Sequence, residues 1–327
     1  MQFATWHSSN ESRSPVLAQC HAQGCDCQPV QLPFPRAFVP SQCPSITLCD
    51  LVSCLRNKGL SRINFVGDST TFQIMGTLLC EASFEGRYGV QGWYLPADSR
   101  MLPPANATHA GIGYRINDWT VSVDTAVVGD RFDTVRVSAV SAYPTSCLGC
   151  QSGDTHSLLI ALESAMANGL LNEPAAWVYN SGLWDMTVAP DSKAHSAPLG
   201  DSYERSVAAV LKALLKHSRG PIHLRDTNAV HSSLMPANVS AATRHKFAHY
   251  DFDGVKALNA AALRSVVSLQ NGTGHQHHHR IQPFNYTFAA TVDREDGHYP
   301  EGDIRHYGYE VNSQLAKLVL LRVCERL

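Results

Sequence analysis

The stretch RINFVGDSTTFQIMG, residues 62–76, changes character half-way along. INFV is a short apolar run of the kind that fills a strand buried on both faces. TTFQIMGTLLCEASF reads as a helix. Between them stand Gly67, Asp68, Ser69 and Thr70. Gly67 permits a tight turn. A serine on a strand-to-helix turn has two readings. Either Ser69 or Thr70 caps the helix, or the exposed Ser69 hydroxyl is a nucleophile set beside backbone N–H groups that would bind an oxyanion. The local pattern leaves both open.

The same alternation continues outward. LCDLVSCLRNKG (48–59) is a short helix ahead of the strand. HSLLIALESAMANGLL, SYERSVAAVLKALLKHS, FDGVKALNAAALRSVVSLQ and YEVNSQLAKLVLLRVC read as helices, and AAWVYNSG and PIHLRDT as buried strands. DWTVSVDTAVVG and DTVRVSAVSA read as strands of an inserted hairpin. Alternating β and α segments predict a three-layer α/β/α sandwich with a central parallel sheet. Sites in such sheets lie beyond the carboxyl ends of the strands, where Ser69, Asn180 and Arg225 fall. Residues 1–59 are rich in Cys, Pro and Ser, and read as a loop-dominated N-terminal extension to a catalytic domain over 60–327.

Composition narrows the partners. The 327 residues carry a formal net charge of −2 with 17% charged residues. There is no long basic run, which argues against nucleic acid or an anionic membrane surface. No apolar run reaches the roughly 18 residues of a membrane span. Six of the ten cysteines precede residue 55, and only Cys147 and Cys150 have the CxxC form that zinc favours. Disulfides are the expected use. Sequons at Asn10, Asn106, Asn238, Asn271 and Asn285 point the same way. The expectation is a protein of the secretory pathway, in the Golgi lumen or extracellular, whose targeting segment is missing from this chain. The HQHHH run at 275–279 is a metal-binding candidate of a type usually incidental on loops.

A serine nucleophile needs a base. DREDGHYPEGDIRHYGYE, residues 293–310, precedes the last helix. It places His298 near Asp293, Glu295 and Asp296, and holds a second pair, Asp303 and His306. Histidine needs a carboxylate to fix its tautomer and stabilise the imidazolium. Without a serine partner, such a loop is ordinary solvated surface. In VYNSGLWDM, residues 178–186, Asn180 either aims its amide at an oxyanion or closes an Asx turn. Trp184 either walls an acyl or sugar pocket or packs in the core. Arg225 is a candidate substrate contact.

GDS at 67–69, Asn180-Ser-Gly-Leu-Trp184 after a later strand, and DGHYPE at 296–301 before the final helix, in this order, resemble the SGNH/GDSL superfamily. The PC-esterase group is the nearest likeness. SCLRNKGLSRINFVGDST (53–70) is similar to the segment of neurexophilin/PC-esterase-like proteins and of the luminal domain of sialic acid O-acetyltransferases. Plant trichome-birefringence-like O-acetyltransferases share the layout more distantly. The likeness runs over 43–327 but is strong only in the three blocks.

The resemblance implies acyl transfer on O-acetyl esters of glycans through an acyl-Ser69 intermediate. His298 would be base and then acid. Oxyanion donors would be the Ser69 N–H, Asn180 and a glycine N–H from 84–113. The family pattern is Asp-x-x-His, yet Glu295 stands three before His298 and Asp296 two before it. DGHYPE resembles the family run with one residue removed, so Asp296 is the preferred partner and Glu295 the alternative. Asp303 and His306 keep the spacing but lack the DG…HYP context, and form the alternative pair. The resemblance implies no metal or nicotinamide cofactor; an acetyl donor such as acetyl-CoA enters only for a transferase. Two other classes remain: an inactive glycan-binding relative, and a Cys/His metal-binding module.

Overall fold

In the computed structural model, the described residues are 48–84, 90–97, 112–124, 132–144, 154–167, 169, 171–187, 201–272, 280–298 and 303–324. Most of the Cys-rich extension, the His run and most of the 84–113 glycines lie outside them.

Seven strands form one sheet: β1 (Arg62–Gly67), β2 (Val90–Ala97), β3 (Ile112–Asp124), β4 (Phe132–Pro144), β5 (Ala175–Asn180), β6 (Ile222–Arg225) and β7 (Ile281–Phe284). Their order is β2-β3-β4-β1-β5-β6-β7. The five strands from β4 to β7 are parallel. By their order in the chain they run 2-1-3-4-5, the flavodoxin-like doubly wound arrangement. β2 and β3 extend the sheet antiparallel. The expected hairpin of β3 and β4 therefore forms, but β4 is also a member of the parallel core, paired with β1 from Arg62↔Arg136 to Val66↔Val140.

Alternate residues of each central strand feed two separate cores, because side chains switch face at every residue. Ile63, Phe65, Val137, Ala139, Ala176 and Val178 pack with helices α1 (Leu48–Asn57), α2 (Ser69–Phe84) and α8 (Tyr309–Cys324). Val66, Val140, Trp177 and Tyr179 pack with α3 (Thr155–Ala167), α4 (Asp201–His217) and α6 (Phe252–Gly272) on the other face. This is the expected three-layer α/β/α sandwich. Two short helices, α5 (Ala241–Lys246) and α7 (Thr287–Thr291), sit in the connections around α6 and after β7.

α1 belongs to this body: Leu51 and Leu55 are fully buried. A disulfide joins Cys54 of α1 to Cys324 at the end of α8, with Cα atoms 5.6 Å apart. Lys58 Nζ donates to the Val323 carbonyl beside it. Among the described residues, no helix is long and apolar enough to cross a membrane.

Candidate active site

The switch in strand order falls between β1 and β5, and both end at this point: β1 at Gly67 and β5 at Asn180, paired in register. In doubly wound sheets a ligand crevice opens at that place. Gly67 is required here, because a Cβ would run into the Asn180 carbonyl and the Thr71 hydroxyl. The chain then turns directly into α2.

The cap of α2 is Asp68. Its buried carboxylate accepts the Thr70 N–H at 3.0 Å and the Thr70 hydroxyl at 2.7 Å. Ser69 is thus relieved of capping. Its hydroxyl, half-buried, meets His306 Nε2 at 2.7 Å. His306 Nδ1 in turn meets Asp303 Oδ2 at 2.6 Å. The Asp303 carboxylate cannot donate, so Nδ1 carries the ring proton and Nε2 is left to accept from Ser69. Asp303 Oδ1 also takes the N–H groups of Arg305 and His306, both at 3.0 Å. Burial alone would raise the Asp303 carboxyl. The bond and charge of His306, with the two amides, outweigh it and hold the group well below the usual carboxylate range. The Ser69 N–H stands in the first turn of α2, where backbone donors have no intrahelical acceptor and the helix dipole favours an anion.

The preferred pair of the sequence reading is not brought to Ser69. Glu295–Gly297 forms a 3-10 turn that leaves the Asp296 side chain 63% exposed and paired with Arg294 at 3.1 Å. Glu295 takes a hydrogen bond from Ser233. His298 forms a β-bridge with Tyr307, which lays its ring against the Tyr307 ring at 4.1 Å between centroids. Its Nε2 meets His231 Nδ1 at 2.6 Å and its Nδ1 meets the His306 carbonyl at 3.0 Å. The alternative pair, Asp303 and His306, takes the place that Asp296 and His298 were expected to fill.

Asn180 and Arg225 are also placed differently from expectation. Asn180 Nδ2 donates to the Arg225 carbonyl at 3.1 Å and to Thr227 Oγ1 at 3.0 Å, while Oδ1 accepts from Arg225 Nη2 at 2.9 Å. Its amide hydrogens are therefore engaged beneath the site instead of facing an oxyanion. Arg225, 1% exposed, bonds Thr70, Thr71 and Asn228 as well. It ties the ends of β5 and β6 to the first turn of α2, a strut under Ser69 with almost no exposed surface of its own. Burial lowers the Arg225 guanidinium, with Asp68 and Asp226 opposing the shift.

Trp184 does lie beside the site. It is half-buried, with the guanidinium of Arg305 5.1 Å from its ring centroid and Lys246 Nζ 5.4 Å away. Arg305 is the chain neighbour of His306. Two residues of this region escaped the sequence reading. Asp68 had a signal, an Asp directly before a helical run. His231, in NAVHSS, had none.

Compared with family models, with curated proteins and with solved structures, the chain matches none.

Proposed function

We propose that the protein is a serine-dependent acyl-ester hydrolase or acyltransferase working through an acyl-Ser69 intermediate. The observation that carries this is the line Ser69–His306–Asp303, with contacts of 2.7 and 2.6 Å. Each member is in the state the chemistry needs. His306 presents a bare Nε2 to the Ser69 hydroxyl proton, and Asp303 stands behind the imidazolium that proton transfer would create.

In the proposed cycle, Ser69 Oγ attacks the ester carbonyl as His306 Nε2 takes its proton. The oxyanion develops at the Ser69 N–H and the start of α2. His306 then returns the proton to the leaving alcohol oxygen as the acyl C–O bond breaks. Water or a second hydroxyl repeats the sequence in reverse and frees Ser69. Hydrolysis and transfer differ only in which hydroxyl attacks the acyl-enzyme.

The finer reading, O-acetyl groups on glycans, is supported by the resemblance of the GDS and NSGLW blocks to SGNH/GDSL proteins of the PC-esterase type. It is also supported by Trp184, a half-buried aromatic with the donors Arg305 and Lys246 against its ring, a polar and aromatic lining close to His306. Asp303 and His306 in this reading also restore the Asp-x-x-His spacing of that group. The secretory-pathway reading keeps the support of the sequons and the Cys54–Cys324 disulfide.

A fluorophosphonate probe tests the nucleophile. The expected result is one stoichiometric adduct on Ser69 by peptide mass, lost in Ser69→Ala and accompanied by release of acetate from acetylated oligosaccharides. A folded wild type that neither labels nor hydrolyses any acetyl ester overturns the reading in favour of a non-catalytic glycan-binding protein.

A further inference from the structure

His298, displaced from the expected base position, touches the base through the backbone. Its Nδ1 meets the carbonyl of His306 at 3.0 Å, and its Nε2 meets His231 Nδ1 at 2.6 Å. His231 Nε2 faces the carbonyl of Val292 at 3.0 Å. Both residues are buried, at 5% and 8% exposure. A pair of imidazoles joined ring to ring and closed at both ends by carbonyls is a built arrangement, since carbonyls only accept.

Proton counting defines its states. Three contacts need three N–H protons on four ring nitrogens, and two neutral imidazoles bring two. All three contacts are therefore satisfied only with one shared extra proton. Burial and the neighbouring His231 lower His298 to about 4, with the His306 carbonyl and Asp303 opposing the shift. The third proton is an acid-side event. At neutral pH two protons remain, and one ring nitrogen faces a carbonyl lone pair, at Val292 or at His306.

The hydrogen-bonding neighbours of the pair choose between these ends. On the His306 side the carbonyl of His306, 3.0 Å from His298 Nδ1, only accepts, and the Asp303 carboxylate favours protonation of His298 while the His306 ring opposes it. On the other side the Tyr307 hydroxyl donates to the carbonyls of Ala229 and Thr291, so it turns a lone pair to His231 Nδ1 at 3.3 Å and favours a proton there; Tyr307 also feels the positive charge of Arg294. Arg294 is shared with Asp296 and Glu310. The remaining wall is Phe252 of α6, an uncharged ring edge-on to His231.

We propose that His231 and His298 form a hydrogen-bonded relay that positions His306, with His231 Nδ1–H held by His298 Nε2 and His298 Nδ1–H held by the His306 carbonyl. The proposal rests on the reading of His306 as the base toward Ser69. His298 touches no reacting atom; it is a positioning residue. It fixes the backbone at His306 from one side while the Asp303 carboxylate fixes the ring from the other, so the Nε2 lone pair keeps its aim at Ser69.

The test uses two polar replacements. In His298→Asn the amide nitrogen falls where Nδ1 was and keeps the His306 carbonyl; in His298→Gln the amide falls near Nε2, where its oxygen accepts from His231 Nδ1, and the His306 carbonyl loses its donor. Fluorophosphonate labelling of Ser69 is followed for each, separating the maximal rate from the half-saturating probe concentration. The maximal rate is expected to fall roughly tenfold to a hundredfold in His298→Gln, with half-saturation unchanged, and to recover in His298→Asn. Equal rates in the two variants, or both matching wild type, overturn the proposal while leaving the nucleophile standing. A wild type that does not label sinks the underlying reading instead. Nitrogen-15 spectra of the histidines then still judge the relay: at neutral pH His298 is expected as the Nδ1–H tautomer, and a bare Nδ1 overturns it.

Discussion

His306 holds its ring proton on Nδ1 because Asp303 lies 2.6 Å away, and this alone makes Nε2 an acceptor toward Ser69. Asp303→Asn replaces a pure acceptor by an amide that can donate, so the opposite tautomer becomes available. Labelling of Ser69 is expected to slow by about 10³–10⁴-fold, with the thermal midpoint nearly unchanged. Asp296→Asn is the control. Its carboxylate is mostly exposed and, among the described residues, paired with Arg294, so the rate should stay within about twofold of wild type. The reverse ranking would return the role to Asp296. Both pairs were visible in the sequence, and spacing favoured Asp303 with His306 while local context favoured Asp296 with His298. What decides between them is backbone geometry that no spacing displays. Asp303 closes on the amides of residues 305 and 306, whereas the 3-10 turn at 295–297 throws Asp296 outward. Asn180 misled for a related reason: the sequence placed it correctly at a strand end, but its direction depends on Arg225, which arrives from 45 residues later.

Two helices that begin at this sheet edge, α2 and α3, are anchored by carboxylates with distinct costs. Asp68 caps α2 and faces the buried Arg225, so Asp68→Ala removes the cap and a counter-charge together. The expected loss is about 1–2 kcal/mol from the cap alone, read as a lower denaturant midpoint at constant slope, with slower labelling of Ser69. At α3, Asp154 accepts the Ser157 N–H, and Asp185 accepts the N–H and hydroxyl of Thr155. Burial pushes Asp185 up to about 6, only partly countered by Thr155. The folded state therefore binds this proton more tightly than the unfolded chain. Its contribution is fully present below about pH 4, the unfolded value, and is lost as pH rises through 6. Asp185→Asn should remove that slope. The stability gap between variant and wild type is expected to shift in the variant's favour by roughly 2–3 kcal/mol from pH 4 to pH 7, measured by denaturant titration at both values; a gap independent of pH would contradict it. Long helices and buried strands were legible from periodicity, and YEVNSQLAKLVLLRVC matches α8 residue for residue. β7, IQPF, was not, because four residues with an internal proline carry no strand pattern. Only its place at the end of the sheet, where a missing N–H is tolerated, makes it a strand.

The whole molecule separates its disulfide-bonded end from the end that holds the candidate site. Ser69, Asn180 and Arg225 lie at or just past the carboxyl ends of β1, β5 and β6, and α8 starts there, three residues after His306. α8 returns to the opposite edge, where its last residue, Cys324, meets Cys54 in the helix that leads into β1. The bond thus closes nearly the entire sandwich, its cysteines 270 positions apart in the chain. A crosslink over so long a loop acts mainly by restricting the unfolded chain. It is also remote from the Ser69–His306–Asp303 line by the length of a helix. Composition alone argued for disulfides, but the partner of Cys54 was not legible: pairing depends on α1 and α8 sharing one face of the sheet, a long-range outcome of the strand order. The double variant Cys54→Ser, Cys324→Ser is therefore expected to lose about 2–5 kcal/mol of stability, seen as a lower denaturant midpoint, and to label at Ser69 at the wild-type rate below its unfolding transition. The same split should follow reduction of the wild type. If labelling instead slowed in step with the lost stability, α8 would be transmitting strain from Cys324 to His306, and the two ends of the molecule would have to be treated as one mechanical unit.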